Sequence, residues 1–274
     1  MNKESFAINL LKNSYIGDDG AVIGEWVYSK DIFAEDIHFK REWMSLEQIA
    51  QKAMLVNISD AIAMNAKPLY ALIGTSLPSD FSYKEIKKLS EAFRLTCKEW
   101  GVELIGGDTT SGKNLTISIT IISKSKNPVF RSGMKRGDLI AHTGELGQSL
   151  KGLKALLRGG KLSKEHKFIK PKLRSDFFYR ISPFVSSALD ISDGLGKDLS
   201  RLSEINKLGF KFRCKMEKAQ LCSGEEYEML FSFHPRFYKR ILSEAKRTKT
   251  PLNIVAKAVR GKYKSPCREH HFKN

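Results

Sequence analysis

The sequence predicts a mixed α/β or α+β fold, because segments with helical and with strand periodicity follow one another in both halves of the chain. Helical spacing of apolar residues is clearest from Leu46 to Ala66, and strict apolar–polar alternation is clearest from Leu115 to Ile121. With 274 residues, 41% of them hydrophobic, the chain can bury a sizeable core without metal or disulfide staples. One large domain or two smaller domains are therefore expected.

The first half is predicted to contain two helices and two strands. Ser45 is a possible N-cap for the first helix, whose pattern ends before Pro68. A second helix is predicted over residues 83–100, where Gly101 ends it. Strands are predicted over residues 69–77 and 115–121.

A turn-rich segment over residues 127–138 predicts a domain boundary, which divides the chain into residues 1–137 and 138–274. Beyond the boundary, strands are predicted over residues 139–143 and 187–191. Each is followed by a predicted helix, over residues 149–157 and from about 194 to 208. Strands and helices are therefore expected in both halves of the chain.

The net charge of +17 raises the question of nucleic-acid binding. Residues 1–137 carry 18 basic and 16 acidic side chains, whereas residues 138–274 carry 29 and 14, so the excess lies in the second half. The basic stretches lack interleaved aromatic residues and a recognisable DNA-binding motif. A lysine-rich solvated surface is therefore favoured over a nucleic-acid site, and its positive field would attract phosphorylated small molecules.

The cysteines and the apolar runs indicate the compartment. The four cysteines form no C-x-x-C pair, which predicts neither a zinc site nor a disulfide framework. No run approaches the roughly 18 apolar residues that a membrane helix requires, and the N-terminus is too polar for a signal peptide. A cytoplasmic protein without a membrane segment is therefore expected.

Aspartate is the residue type whose distribution is most informative. Of twelve aspartates, eight lie in tight groups beside apolar runs, where a carboxylate is costly unless it is compensated. For any one group, ordinary turn and helix-cap chemistry is the favoured explanation. The whole set, in a chain with surplus positive charge, favours a site for Mg²⁺, which prefers oxygen ligands and bridges carboxylates to phosphates. The eight are Asp18, Asp19, Asp31, Asp36, Asp60, Asp108, Asp190 and Asp193.

The glycine-rich stretch over residues 106–114 is not a P-loop. Counted from Gly107, it reads G-x-x-x-x-G-K, but Asn114 stands where serine or threonine is required. An alternating strand follows it, whereas a P-loop opens a helix. A turn that presents backbone N–H groups and the Asp108 carboxylate to a metal-bound phosphate is expected instead.

Seven ordered segments over about residues 17–233 resemble the thiamine-monophosphate kinase family, of the aminoimidazole-ribonucleotide-synthetase-like superfamily. They are Gly17-Asp18-Asp19-Gly20-Ala21; Ser29-Lys30-Asp31 with His38-Phe39; Lys52-Ala53 with Val56-Asn57-Ile58-Ser59-Asp60 and Ala63-Met64; Gly106-Gly107-Asp108-Thr109-Thr110; Arg131-Ser132-Gly133 with Gly137-Asp138; Asp190-Ile191-Ser192-Asp193-Gly194-Leu195; and Gly224-Glu225-Glu226-Tyr227-Glu228.

The resemblance implies transfer of the ATP γ-phosphate to thiamine monophosphate with several Mg²⁺ ions. It implies a homodimer in which N-terminal mixed sheets with helices form the core, beside C-terminal α/β domains. By position it assigns metal binding to Asp19, Ser29, Lys30, Asp31, Asp60, Asp108, Asp190 and Asp193, with Asp60 and Asp193 as the catalytic carboxylates. It assigns ATP contacts to Gly107, Asp108, Arg131 and Ser192, and thiamine-phosphate contacts to His38 and Glu225.

Some positions depart from the family pattern. Lys30 stands where threonine is usual, so only its backbone carbonyl could bind a metal, and Ser111 replaces a common arginine. Cys222-Ser223 replaces Ser-Gly, and Glu226 replaces aspartate. Two rival interpretations stay open: a related ATP-dependent synthetase of the aminoimidazole-ribonucleotide or selenophosphate type, and a basic nucleic-acid-binding protein. The second leaves the grouped aspartates unexplained, because acids repel phosphate unless metals intervene.

Overall fold

The computed structural model describes residues 3–268, which form two five-stranded sheets with helices packed against them. Within these residues, no helix is long and apolar enough to cross a membrane. The mixed α/β class predicted from the sequence is confirmed.

The first sheet has the strand order β1-β2-β5-β3-β4. Only β3 and β4 pair in parallel, and the other neighbours are antiparallel. Helix α1 precedes the sheet, and α2 and α3 pack with each other along it. The bounds are α1 Lys3–Leu11, β1 Ala21–Ile23, β2 Trp26–Ala34, α2 Leu46–Ala63, β3 Lys67–Pro78, α3 Tyr83–Trp100, β4 Glu103–Gly112 and β5 Thr116–Lys124.

Helix α2 lies at the centre of the molecule. Ser45, which the sequence predicted as a possible N-cap, forms a capping box with Gln48. The helix ends at Ala63 because Asn65 takes a positive φ of 52°. Nearly every residue from Ile49 to Ala63 is buried, since α2 contacts β2, β5 and α3 on one side and β7 and α5 on the other. The polar side chains of α2 are therefore enclosed by both halves of the chain.

The second sheet has the order β7-β9-β6-β10-β8, with antiparallel neighbours throughout. Strand β9 is buried at every position, so it carries no alternation that a sequence pattern could reveal. The bounds are β6 Leu139–Thr143, α4 Gln148–Leu157, α5 Ser175–Ile181, β7 Val185–Asp190, α6 Leu195–Asn206, β8 Gly209–Phe212, α7 Lys218–Leu221, β9 Met229–Phe233, α8 Tyr238–Arg247 and β10 Leu252–Val259.

The hydrophobic core is continuous between the two sheets. The largest buried cluster joins Ile58 and Ile62 of α2 to Phe178 of α5 and Phe231 of β9. All strands of the first sheet precede residue 137 and all strands of the second follow it. The domain division at residue 137 stays a prediction, since this shared core joins the two halves.

One expectation from the cysteines is wrong. Cys222 and Cys267 form a disulfide with Cα atoms 5.4 Å apart, although they are 45 residues apart in sequence. The two cysteines meet because the segment after β10 returns to α6, where Gly196 leaves room for the Cys267 sulfur. Sequence spacing rules detect short metal-type pairs and not such distant contacts.

Candidate active site

A cavity of about 930 Å³ opens where α2 meets the segments that follow β7 and precede β9. It has an acidic wall and an aromatic wall, the latter including Phe33, Trp43 and Phe168. The residues assigned by resemblance that line it are Asp19, Lys30, Asp31, His38, Asp60, Arg131, Ser192, Asp193 and Glu225.

Three carboxylates from distant parts of the chain cluster at the acidic wall: Asp19 and Asp60 line the cavity, and the buried Asp190 adjoins them. One oxygen from each of Asp19, Asp60 and Asp190 lies within 4.8 Å of the other two. Helix α2 presents Asp60, and Asp190 is the last residue of β7. Ser59 Oγ donates a hydrogen bond to Asp190 Oδ2 at 2.6 Å, so the Asn57–Asp60 and Asp190–Asp193 motifs, which are similar in sequence, meet in space.

The electrostatics of this cluster favour a bound cation. Burial, followed by the charges of Asp31, Asp190 and Asp19, raises the pKa of Asp60 well above its ordinary value. Burial and the Asp19 charge likewise raise the pKa of Asp190, although the Ser59 hydrogen bond opposes this. Asp19 Oδ2 is buried and accepts no hydrogen bond from any residue that the structure describes. Oxygen-only donors whose negative charge is only partly compensated fit Mg²⁺, which Asp19, Asp60 and Asp190 would hold.

We expect Mg²⁺ to raise the midpoint of thermal unfolding more at about pH 8 than at about pH 5.5. The raised pKa values mean that the metal-free folded protein retains protons which the unfolded chain, with ordinary carboxyl pKa values, has released. Its stability therefore falls as pH rises through this window, and a cation that replaces the protons contributes most at the upper end. Scanning calorimetry with and without MgCl₂, against NaCl of equal ionic strength, measures the difference. Equal shifts at both pH values would contradict the cluster as the binding site.

Arg131 provides the positive charge nearest to the cluster. Its guanidinium donates to Asp19 Oδ1 at 2.7 Å, and its backbone N–H donates to Asp18 Oδ1 at 2.6 Å. Burial alone would lower the pKa of Arg131, but the Asp19 carboxylate raises it, so the side chain stays charged. A partly buried guanidinium held beside carboxylates is suited to binding phosphate oxygens.

Arg201 is a cavity residue that the sequence reasoning missed. It pairs with Asp193 and also donates to Asp198 at 2.8 Å. Asp198 is buried, its Oδ2 has no hydrogen-bond partner among the described residues, and burial raises its pKa to about 7. A signal was present in the sequence, because Asp198 and Arg201 interrupt the apolar residues of α6 at helical spacing.

Ser29 and Lys30 of β2, both assigned to metal binding by the resemblance, have side chains on opposite faces of the first sheet. Ser29 is buried, its Oγ donates weakly to the Asn57 carbonyl at 3.4 Å, and it lies behind the cavity wall. The Lys30 ammonium donates to Ser118 Oγ at 2.6 Å on the opposite face of the sheet. Alternation along the strand therefore leaves only the backbone of Lys30 near the cavity.

Gly107 and Asp108 do not line the cavity of the single chain. The turn expected at these residues is wrong: they lie in β4, the exposed edge strand of the first sheet. Gly107 is required there because a Cβ would overlap the carbonyl oxygen of Ile73 on β3. The strand context that excluded a P-loop is confirmed, since β5 follows.

His38 lies in a tight turn after β2, at the cavity. Its ring packs against Phe33 with centroids 5.4 Å apart, and its Nδ1 accepts a hydrogen bond from the backbone N–H of Ala34 at 3.0 Å. A neutral imidazole whose Nδ1 accepts must carry its proton on Nε2. His38 is therefore arranged as a hydrogen-bond donor through Nε2.

Glu225 is presented by a strained turn that buried charges support. Glu225 and Tyr227 have positive φ values of 55° and 50°. The Glu226 side chain accepts from the backbone N–H groups of Gly147 and Ser149, at 2.8 and 3.2 Å, and so caps α4, which has no side-chain cap of its own. Glu226 thus has a structural role, because its carboxylate joins this turn to the start of α4.

Comparison with known proteins first defines the class. Residues 17–124 match the family model "AIR synthase related protein, N-terminal domain". Thiamine-monophosphate kinase of Nitrosopumilus maritimus is 32% identical over 238 residues, covering 80% of this chain and 77% of that protein. The Leptospira interrogans enzyme of the same name is 31% identical over 279 residues, covering 90% and 88%. The chain belongs to the thiamine-monophosphate kinase family.

Solved structures show the same fold. AaThiL complexed with AMPPCP and TMP superposes with a TM-score of 0.85 at 22% identity, covering 98% of this chain and 96% of that one. Thiamine monophosphate kinase from Aquifex aeolicus gives a TM-score of 0.83 at 22% identity, covering 96% and 97%. The two-sheet architecture expected from the resemblance is thereby confirmed.

Proposed function

We propose that this chain transfers the γ-phosphate of ATP to thiamine monophosphate, producing thiamine diphosphate and ADP, with Mg²⁺ held by its carboxylates. The observation that carries the proposal is the Asp19–Asp60–Asp190 cluster, of which Asp19 and Asp60 line the same cavity as His38 and Glu225. The names of the relatives favour this activity over that of a related synthetase, and an acidic cavity argues against a nucleic-acid site.

The proposed reaction must bring a triphosphate close to a monophosphate, so charge neutralisation and alignment are its main requirements. Bound Mg²⁺ would neutralise phosphate charge and polarise the transferring group. We assign metal binding to Asp19, Asp31, Asp60, Asp190 and Asp193 and to the backbone of Lys30, and nucleotide contacts to Arg131 and Ser192. The resemblance also assigns Ser29, Gly107 and Asp108, but in the single chain these residues do not line the cavity. Arg131 is the side chain best placed to bind a phosphate oxygen beside the cluster.

In this proposal no side chain acts as an essential general base. A phosphate monoester has its second pKa near about 6, so its oxygen is already an anionic nucleophile at neutral pH. In the neutral ring, His38 Nδ1 accepts from the Ala34 backbone N–H and Nε2 carries the hydrogen, so Nε2 is arranged to donate to the acceptor. Its role is to orient the acceptor.

Changing His38 to Asn is expected to raise the KM for thiamine monophosphate about tenfold while the pH profile keeps its rise near about pH 6. Asparagine retains a donor but places it differently. Steady-state rates from pH 5 to 8 test this, with the exposed His234→Asn as a matched control. If the rising limb vanishes while acceptor affinity is unchanged, His38 is a base and the assignment is wrong.

The proposed activity is tested by incubating purified protein with Mg²⁺-ATP and single candidate acceptors and identifying the product by mass. Thiamine diphosphate with stoichiometric ADP is the expected result. ATP turnover only with formylglycinamidine ribonucleotide or with selenide would move the assignment to a related synthetase.

We also propose a homodimer formed through the first sheet. The sheet face opposite α2 and α3 exposes Ile32 and Leu72, and Ile105 is exposed on the neighbouring edge strand β4, which together form a patch typical of a protein interface. Asp108 lies on the same sheet, so pairing would let it act in the cavity of a second copy. Mixing Asp60→Asn with Asp108→Asn protein should then restore activity that neither variant has alone, whereas a monomer in sedimentation would contradict the proposal.

The cytoplasmic location predicted from the sequence also stays part of the proposal. The Cys222–Cys267 disulfide bears on this location, because a reducing compartment would reduce it to two thiols. Alkylation before cell lysis should therefore label both residues. A bond that is intact in the cell would contradict a reducing location.

A further inference from the structure

Lys52 is a buried cation for which the proposed roles give no use. It lies on α2, two helical turns before Asp60, and its side chain is completely buried. An ammonium group removed from water is costly unless a negative group and favourable contacts compensate it. Its partners therefore indicate why the position is occupied by lysine.

The partners of Lys52 lie at the acceptor side of the cavity. Its ammonium nitrogen is 2.9 Å from Glu225 Oε2, across 173 residues of sequence. The same nitrogen lies 4.0 Å from the ring centroid of Phe168 and 5.6 Å from that of Phe33. Glu225, Phe168 and Phe33 line the cavity, whereas Lys52 is behind them. Lys52 thus contacts the wall of the site without reaching its interior.

The backbone of Glu225 is fixed independently of Lys52. Its N–H donates to the Ser192 carbonyl at 2.7 Å, and its own carbonyl accepts from Ser149 Oγ at 2.7 Å. The side chain, which is 23% exposed, still has freedom to rotate toward solvent. Among the contacts of the described residues, the ion pair with Lys52 is what restrains it.

We propose that Lys52 is a positioning residue, which directs the Glu225 carboxylate into the cavity and thereby sets affinity for the phosphate acceptor. The ammonium engages Oε2, and Oε1 is left to contact the acceptor. The aromatic rings hold the lysine from the other side, so the direction of the ion pair is determined by packing. Because Lys52 comes from α2 and Glu225 from the segment before β9, the pair also links the two halves of the chain at this site. The inference rests on the proposed function and fails if that function fails.

The test compares Lys52→Met with wild type by steady-state kinetics. Methionine keeps much of the length and packing but removes the charge. We expect the KM for thiamine monophosphate to rise about tenfold or more, while the KM for ATP changes less than about twofold. Lys88→Met, at an exposed lysine of α3 that pairs with Glu47 at 3.8 Å, is the matched control and should change neither constant.

A double-mutant cycle separates positioning from general damage. If Lys52 acts through Glu225, adding Lys52→Met to Glu225→Gln should change the acceptor KM less than about twofold further. Independent, multiplicative effects, or a Lys52→Met enzyme with unchanged acceptor KM, would overturn the inference. If Lys52→Met does not fold by circular dichroism, Lys52→Arg keeps the charge with altered geometry, and an unchanged acceptor KM in that variant would also overturn it. A wild-type protein that forms no thiamine diphosphate would instead refute the proposed function itself.

Discussion

Replacing Asp60 by asparagine is expected to lower turnover at least about 100-fold, the scale of losing one preorganised electrostatic contact to a transferring phosphate. Asparagine has nearly the same shape, so the substitution removes charge without creating a cavity. Asp60 is flanked by Asp19 and Asp190, and the assigned metal would lose one of three anionic ligands.

Folding should survive the Asp60 substitution. Burial and the neighbouring carboxylates raise the pKa of Asp60, so its charge opposes folding when no cation is bound. The metal-free variant should therefore unfold at the same or a higher urea concentration than wild type at neutral pH. Asp176→Asn, an exposed aspartate paired with Arg180 at 2.8 Å, is the matched control for both measurements.

Asp193→Asn should lower turnover by a similar factor. Asp193 pairs with Arg201, which keeps Asp198 as a second partner at 2.8 Å, so the variant should still fold. Near-full activity of either variant at limiting Mg²⁺ would show that the metal assignment of that residue is wrong.

Replacing Glu228 by glutamine is expected to lower the free energy of unfolding by about 3 kcal/mol, the scale of breaking a buried ion pair on one side. Glu228 is buried and accepts from Arg174 at 3.0 and 3.1 Å, from Lys167 at 3.0 Å and from Thr143 Oγ at 2.6 Å. The substitution keeps the size of the side chain and leaves two largely buried cations with less negative charge.

The pH dependence of the free energy of unfolding provides a second measurement of the role of Glu228. Burial alone would raise the pKa of Glu228, but Arg174 and Lys167 lower it below its ordinary value. A lowered pKa contributes stability that is present above the unfolded pKa and is lost as pH falls through the folded pKa. Urea unfolding at neutral and acidic pH should show the Gln variant losing less stability on acidification than wild type.

Glu165→Gln is the matched control, because Glu165 is 80% exposed and lies 3.7 Å from Lys170. Exposed pairs of this kind contribute only about 0–1 kcal/mol. A Glu228→Gln protein as stable as the control would show that the buried ion pairs do not support the turn before β9.

The sequence by itself determined the elements whose patterns are local. Helix α3 begins after Ser82 and ends at Gly101, and β6 spans residues 139–143, both within the predicted bounds. Capping boxes, glycine C-caps and amphipathic periodicity depend on neighbours a few residues away, so they are readable along the chain. The grouped aspartates are also conspicuous along the chain, because carboxylates beside apolar runs are costly. The acceptor-side residues His38 and Glu225 were predicted only through the family resemblance.

Only the tertiary structure decided which of these residues meet. Asp60 and Asp190 share a cluster because α2 is enclosed between the two sheets, whereas Asp108, which has an equally suggestive motif, lies on an exposed edge strand. The contacts of Lys52 with Glu225 and of Cys222 with Cys267 likewise join segments that are distant in sequence. Such contacts arise from the packing of a shared core, which depends on the summed shape and burial of many side chains and leaves no periodic signal at the residues concerned.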